Sequence, residues 1–502
     1  MNRKVVVNVL GKILLVISIL MLLPFAMTFI YREPLNNILA FAIPILVIFT
    51  AGMIMTMRRV QNYSLGIKDG LFITSVSWIL MSLVGCVPFL ISQEIPNFFD
   101  AFFEITSGFT TTGASILSSE QVGSLSKSLL FWRSFSHWIG GMGILVFVLA
   151  VAPKNNEYSM HILRAESPGP TVGKLVAKMS KSSKILYVIY LVLTLMLFGL
   201  LMLCKDVNGN RIDWFVAICT SFGTAGTGGF VVTSGGIADL GVAAQYIISV
   251  FMLIFGTNFS IFFLLIVRNF RAVARNEEIR WYYGTVVVAV TIVVLSTLKT
   301  YSSFEETFRI ALFQVSSIIS TTGFSTTDYA HEWPGIAQLV IIVLMITGSC
   351  AGSTAGGIKQ SRIVLLLKKG FVKIAKIFNP RSVHIVRMDG VPMDDKVMAN
   401  VVDFAILYFL FFAGCAILTS IYNPNMQALG GLDPITAITA SLSCISNVGP
   451  GLGHIVGPAG NFAAYSSVSK IIFAVEMIAG RLELLPVLIL FNPYTYKAKN
   501  SF

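Results

Sequence analysis

An all-α polytopic membrane fold, with one structural unit used four times behind a leading pair of helices, is what this sequence predicts. Three observations carry that reading. Of 502 residues, 55% are hydrophobic and only 12% charged, about half the charged share of a soluble domain. Apolar runs recur along nearly the whole chain. Between alternate runs lie segments too short to span a membrane and too apolar to be plain loops. The 38 Phe against 24 acidic residues also exclude a disordered chain, which needs low hydrophobicity to stay solvated.

Ten runs are candidates to cross roughly 30 Å of hydrocarbon. In order they are Ile13–Tyr31, Ile38–Met57, Leu71–Ile91, Ile139–Ala152, Ile185–Leu203, Leu240–Val267, Trp281–Leu298, Pro334–Ile358, Phe404–Ile421 and Lys470–Leu490. The first follows Arg3, Lys4 and Lys12 as a signal-peptide core would, but no small-residue cleavage site succeeds it, so a retained helix is expected. The fourth is short and spans only by extending back past Arg133 and His137. The last carries Glu476, Arg481 and Glu483.

The net charge of +12 comes from 36 Lys and Arg, most of them in six places. These are the N-terminus to Lys12, 58–68, 154–184, 268–280, 359–396 and the C-terminal tail, each flanking an apolar run. The positive-inside rule then puts the N-terminus and these segments in the cytoplasm, where anionic lipid is a further contact. No aromatic-interleaved basic module is present, so nucleic acid is not an expected partner. Six cysteines without a CxxC pair and five scattered histidines support neither a disulfide framework nor a zinc site.

The four in-between segments are 97–113, 211–229, 304–323 and 433–449. Superposed on Gly113, Gly229, Gly323 and Gly449, they share an alanine twelve residues earlier: Ala101, Ala217, Ala311 and Ala437. Six earlier stand small residues, Ser107, Gly223, Ser317 and Ser443. Three earlier stand Thr110, Gly226, Ser320 and Ser446, and two earlier the polar Thr111, Thr227, Thr321 and Asn447. The unit is therefore helix, re-entrant pore half-helix, filter strand, helix. Irregular backbone at membrane depth survives only where it lines a polar cavity, so four copies closing around one axis build a pore. The expected divisions are an N-terminal helix pair (1–68) and four repeats at 69–175, 176–275, 276–385 and 386–502.

A half-helix entering from outside points its negative C-terminal end at the membrane centre, which favours a cation. Carbonyls beyond it replace ion hydration, and glycine tolerates the positive φ that turns successive carbonyls to one side. No charged side chain lies in any of the four strands, which suits a monovalent ion. The filter set is thus Thr111, Thr112, Gly113; Thr227, Gly228, Gly229; Thr321, Thr322, Gly323; and Asn447, Val448, Gly449. In the second copy Gly229 is preferred over Gly228 because Phe230 then aligns with Phe324. Ala114 and Pro450 at that place make the ring asymmetric.

The strings FTTTGAS, GTGGF, STTGFSTTD and NVGPGLG, in that order on those segments, resemble the Trk/Ktr/HKT superfamily of potassium transporters, and the extra N-terminal pair resembles its TrkH/TrkG branch. The resemblance implies potassium (K⁺) uptake, K⁺ as the only metal, at the filter, and no organic cofactor on this chain. It also implies a homodimer with one pore per subunit in a bacterial inner membrane. A cytosolic TrkA-like nucleotide-binding regulator is implied too, docking on basic segments such as 154–184 and 359–396.

A second constellation, GSCAGSTAGGIK at 348–359, breaks the eighth run. It contains Gly348, Gly352, Ser353, Thr354, Gly356 and Gly357. It is not a phosphate-binding P-loop, because Ile358 stands where lysine is required. Close helix packing through small residues is one reading; the resemblance implies an obstructing loop beneath the filter. Arg481 is costly inside a membrane. Glu476 and Glu483 are candidate partners, and in the family such an arginine lies near the ion path and the loop. Equivalent helix positions can set Arg481 against carbonyls or hydroxyls of the break. The main expectation is channel-like K⁺ conduction; a K⁺/H⁺ or K⁺/Na⁺ symporter is the alternative. Gly113-Ala114-Ser115 with His137 imitates an intramembrane hydrolase, but no catalytic dyad is legible and an enzyme is not expected.

Overall fold

The computed structural model describes residues 3–57, 67–143, 179–381, 384–423 and 433–491, and within them almost all regular structure is helical. Among the described residues, six helices are long and apolar enough to cross a membrane: Arg3–Ile30, Leu35–Met57, Lys68–Ser92, Lys184–Leu203, Glu277–Thr297 and Asp395–Ile421. The first two are the leading pair. After each of the other four comes a half-helix: Phe98–Phe109, Trp214–Gly226, Phe304–Ile319 and Pro434–Ser446.

The returning helices are Lys127–Gly141, Val242–Phe255, Gly335–Thr347 and Ser467–Arg481, of 15, 14, 13 and 15 residues. At 1.5 Å per residue each reaches only about 20–23 Å, short of the hydrocarbon thickness. Each stops at or beside a glycine: Gly141, Gly256, Gly348 or Gly480. A break at this point recurs in all four copies.

Two of these breaks correct the hydropathy reading. Leu240–Val267 is not one straight helix. The chain bends by 92° before Phe259–Ile266, where the Asn258 side chain accepts from the Ser260 N–H at 2.9 Å and starts the new helix. The freed Gly256 carbonyl accepts from the Cys350 N–H. Lys470–Leu490 likewise stops at Arg481; Glu483 and Leu484 take positive φ, and Leu485–Leu488 is a separate turn. The fourth run does extend back past Arg133 and His137, to Lys127. Its remainder lies outside the described residues, with most of the basic segments 58–68 and 154–184 and the C-terminal tail.

Among the described residues, one element departs from the all-helical expectation. Arg387–Met388 pairs antiparallel with Val391–Pro392 around Asp389-Gly390, both left-handed, as tight hairpin turns require. Asp389 accepts from the Glu277 N–H at 2.7 Å.

Backbones meet through glycine. A Cβ on Gly52 would lie 2.9 Å from the Gly11 carbonyl oxygen, which seats the leading pair. A Cβ on Gly140 would lie 1.8 Å from the Phe109 oxygen, and one on Gly480 1.9 Å from the Ile445 oxygen. Returning helices thus press on the ends of their half-helices. Gly480→Ala is expected to cost about 1–3 kcal/mol of overpacking strain and to lower the thermal midpoint of the detergent-solubilised protein. Gly414→Ala, where the added methyl meets nothing within 4 Å, should not lower it.

Candidate functional site

The four half-helices end identically. Thr111, Thr227, Thr321 and Asn447 sit in the left-handed region at φ 54–55°. The next amide, of Thr112, Gly228, Thr322 or Val448, donates back to Ser107, Gly223, Ser317 or Ser443 at 2.8–2.9 Å. The left-handed residue's own N–H donates to Gly108, Thr224, Ile318 or Cys444. This is the Schellman closure. It explains two of the sequence offsets: the small residue six before the glycine supplies the acceptor, and the polar one two before it makes the reversal.

Each chain then passes through its glycine at positive φ, 81° at Gly113, 74° at Gly229, 79° at Gly323 and 105° at Gly449. Gly228 lacks a positive φ, so Gly229 is the equivalent glycine. A Cβ on Gly113 would lie 2.0 Å from the Gly228 carbonyl oxygen. One on Gly229 would lie 2.0 Å from the Thr322 oxygen, one on Gly323 2.0 Å from the Val448 oxygen, and one on Gly449 2.7 Å from the Thr112 oxygen. First touches second, second third, third fourth, and fourth first. The ring is closed.

The polar side chains brace the backbone. Thr227 donates to the Gly226 carbonyl at 2.6 Å, and Asn447 donates to Thr112 Oγ1 at 3.0 Å and to the Met477 carbonyl at 2.9 Å. Thr110 pairs with Thr112 and Ser320 with Thr322. Gly228 is small for another reason: a Cβ there would fall on the ring of His137, which packs edge-on against Phe230 at 4.2 Å.

Several supports were not legible. Glu104 accepts from the Ser115 hydroxyl and the Ile116 N–H, both at 2.9 Å, just past Gly113. Arg133 pairs with Glu104 at 2.6 Å, reaches the Val231 carbonyl and covers the Phe230 ring at 4.1 Å. One ion pair, 1% and 0% exposed, therefore holds the first and second strands. Gln314, nine residues before Gly323 as Glu104 is before Gly113, likewise reaches Ser325 at 3.0 Å. Only that shared offset could have signalled it. The hydrolase imitation dissolves, since Ser115 is taken by Glu104 and Arg133.

The Gly-rich loop lies against the filter strands. Gly356 N–H donates to Thr321 Oγ1 at 2.8 Å, and a Cβ on Gly356 would lie 2.2 Å from the Ser446 oxygen. Gly348, Gly352 and Gly357 have positive φ. Ser353 donates to the Cys350 carbonyl at 2.7 Å and Thr354 to the Phe255 carbonyl at 3.2 Å. Glu278 Oε1 accepts from Ala351 N–H and Ser361 N–H at 2.7 and 3.1 Å. Lys359 Nζ donates to the carbonyls of Ala355 and Gly356.

Arg481 completes the arrangement. It donates to the Thr354 carbonyl at 2.5 Å and to the Gly140 and Gly141 carbonyls at 2.5 and 2.7 Å. Neither expected carboxylate pairs with it. Glu483 pairs with Arg362, and Glu476 accepts from the Ser441 hydroxyl. The guanidinium fork instead caps the broken first returning helix and grips the third-segment loop. First to third is a diagonal of the ring.

A family model described as TrkH, cation transport protein, matches residues 36–498. The Trk system potassium uptake protein TrkH of Escherichia coli (strain K12) is 33% identical over 98% of this chain and 99% of its own length. The Trk system potassium uptake protein TrkG of the same organism is 29% identical over 99% of each chain. The crystal structure of the potassium transporter TrkH from Vibrio parahaemolyticus matches with a TM-score of 0.86 at 30% identity, covering 99% of this chain and 100% of that one.

Removing one member of the buried pair leaves an uncompensated charge. Arg133→Ala or Glu104→Ala is expected to cost about 3–5 kcal/mol, measured by chemical unfolding in detergent. Glu305→Ala, whose carboxylate is 53% exposed, should cost no more than about 1 kcal/mol.

Proposed function

Since the chain belongs to the TrkH family of cation transport proteins, a family of transporters and not of enzymes, we propose that it takes up K⁺ by channel-like conduction through the ring of four strands. The observation that carries this reading is the closed glycine–carbonyl ring. Carbonyls of Thr112, Gly228, Thr322 and Val448, each beside the neighbouring glycine, are the ligands that replace the ion's water. Thr111, Thr227, Thr321 and Asn447 make the left-handed turn that aims that backbone, and Thr227 and Asn447 also brace it through their side chains. The half-helix ends supply partial negative charge. The four repeats, at the divisions the sequence suggests, act as one unit around the axis.

The loop 348–359 is the gate. Its glycines (Gly348, Gly352, Gly356, Gly357) let it fold against the third and fourth strands, Ser353 and Thr354 tie it internally and to the second segment, and Arg481 clamps it across the ring. Arg481 and Lys359 also put two cations where K⁺ must pass, so the clamped form resists conduction. Opening requires the carbonyls held by Arg481 to find other partners. The system is completed by a second copy of this chain and a cytosolic TrkA-like nucleotide-binding protein at the basic face, in a bacterial inner membrane with the N-terminus cytoplasmic.

Coupled symport with H⁺ or Na⁺ has one feature in its favour. Glu476, fully buried on the fourth returning helix, has a single described partner, Ser441. It faces the back of the fourth half-helix, however, and the filter strands carry no carboxylate.

Purified protein in liposomes separates these readings. Flux of K⁺ driven by its own gradient, unchanged by a proton gradient and by Glu476→Gln, is expected; proton-coupled counterflow lost in Glu476→Gln would establish symport. Ser in place of Gly113, Gly229 or Gly323 adds a Cβ 2.0 Å from a neighbour's carbonyl oxygen. These variants should raise Na⁺ permeation relative to K⁺, a tenfold shift corresponding to about 1.4 kcal/mol. Gly449→Ser, with 2.7 Å available, should shift it least. Equal ratios in all four and in wild type would remove these glycines from the filter.

Arg481→Ala, or shortening the loop within Ser349–Ala355, should raise basal K⁺ flux while selectivity persists. Loss of all flux in folded protein would make these residues part of the conducting path. Unchanged flux in both would return the loop to simple packing.

A further inference from the structure

Two histidines from different segments meet beyond the filter. His331 Nε2 lies 2.6 Å from His454 Nδ1, and the ring centroids are 4.5 Å apart. His331 belongs to the turn Tyr329–Glu332, eight residues past Gly323; His454 follows Gly449 by five. Both are exposed. The segments carrying them precede the third and fourth returning helices, so they lie at the mouth opposite the Gly-rich loop. Their backbones are tightly apposed there, since a Cβ on Gly457 would lie 3.1 Å from the Ala330 Cβ.

His331 is held for one role. Its Nδ1 pairs with Asp328 Oδ2 at 2.6 Å, which puts the ring proton on Nδ1 and leaves a lone pair on Nε2, facing His454. Asp328 Oδ1 is buried with no partner. The turn itself is anchored: Trp333 Nε1 donates to the Tyr301 hydroxyl at 2.7 Å, and that hydroxyl meets Thr327 Oγ1 at 3.2 Å. Metal-ligating imidazoles are oriented in this way, by a carboxylate that accepts from one ring nitrogen and leaves the other free to ligate.

We propose that His331 Nε2 and His454 Nδ1 bind a borderline divalent transition-metal ion such as Zn²⁺, bridging the third and fourth segments at the pore mouth and inhibiting ion flux. Two ligands at 2.0–2.1 Å on a tetrahedral ion stand about 3.3 Å apart, so the rings separate by well under 1 Å. His454 ligates as its Nε2–H tautomer: the Nδ1 proton shared with His331 in the free state goes to solvent and Nε2 takes one up, with no net release. Water fills the remaining positions, and Asp328 and Glu332 nearby supply negative charge. The bound ion places two positive charges where K⁺ enters and ties together strands that belong to one ring. That consequence rests on the conduction reading; the binding itself does not.

Zn²⁺ binding to the detergent-purified full chain by calorimetry, and Rb⁺ flux in liposomes with Zn²⁺ outside and then EDTA, test the two parts separately. Stoichiometric binding and EDTA-reversible inhibition in the micromolar range are expected. His331→Ala and His454→Ala should lose both while conducting normally without metal. Asp328→Asn should bind roughly 10–100-fold more weakly, and His384→Ala should behave as wild type. Binding that survives both histidine variants, or no binding in wild type, overturns the site. Binding without any effect on flux overturns the inhibition. If wild type carries no Rb⁺ flux at all, the conduction reading fails and the calorimetry still decides the site.

Discussion

A helix that ends inside a membrane leaves carbonyls with no water to accept from, and the way this chain ends four half-helices governs the rest of the structure. In each, a left-handed residue turns the next amide back onto the last helical turn, satisfying the end internally. The chain leaves that turn aimed at its neighbour, so the four exits meet glycine against carbonyl. The closure and the ring are one geometric decision made four times.

That decision is costly at three of the four corners. Asparagine takes the left-handed region readily, but threonine is β-branched and does not, and such strain costs about 1–3 kcal/mol where it persists. Thr111, Thr227 and Thr321 hold it because the surroundings allow nothing else. Glu104 on Ser115, Gln314 on Ser325, and Thr439 on the backbone of Leu452 tie the first, third and fourth half-helices to the strands that follow them. Glycines of the returning helices press from behind. Repeats one and three use a long polar side chain at the same offset; two and four do not. The fourfold arrangement is in detail twofold.

The returning helices show the same constraint from the other side. They stop at or beside a glycine and again leave carbonyls unanswered. Here cationic side chains answer them: Arg481 on Gly140, Gly141 and Thr354, Lys359 on Ala355 and Gly356. One guanidinium thus answers carbonyls of two different segments.

By itself the sequence determined the membrane class, the leading pair, the four half-helices, and the glycine on which each copy registers. These follow from composition and local chemistry, which act over a few residues. It also exposed the break at 348–357, because four glycines there cannot continue a helix. The bend at Gly256 was invisible, since an apolar run of 28 residues looks the same whether straight or folded. Only the tertiary structure decided which of Gly228 and Gly229 turns, because φ is set by the neighbour each glycine must clear. It alone showed that Arg481 reaches Gly140 and Gly141 as well as Thr354, and that Arg133 pairs with the buried Glu104. Such partners lie hundreds of residues or a whole segment away, and pairing across a closed ring leaves no periodic trace in the chain that forms it.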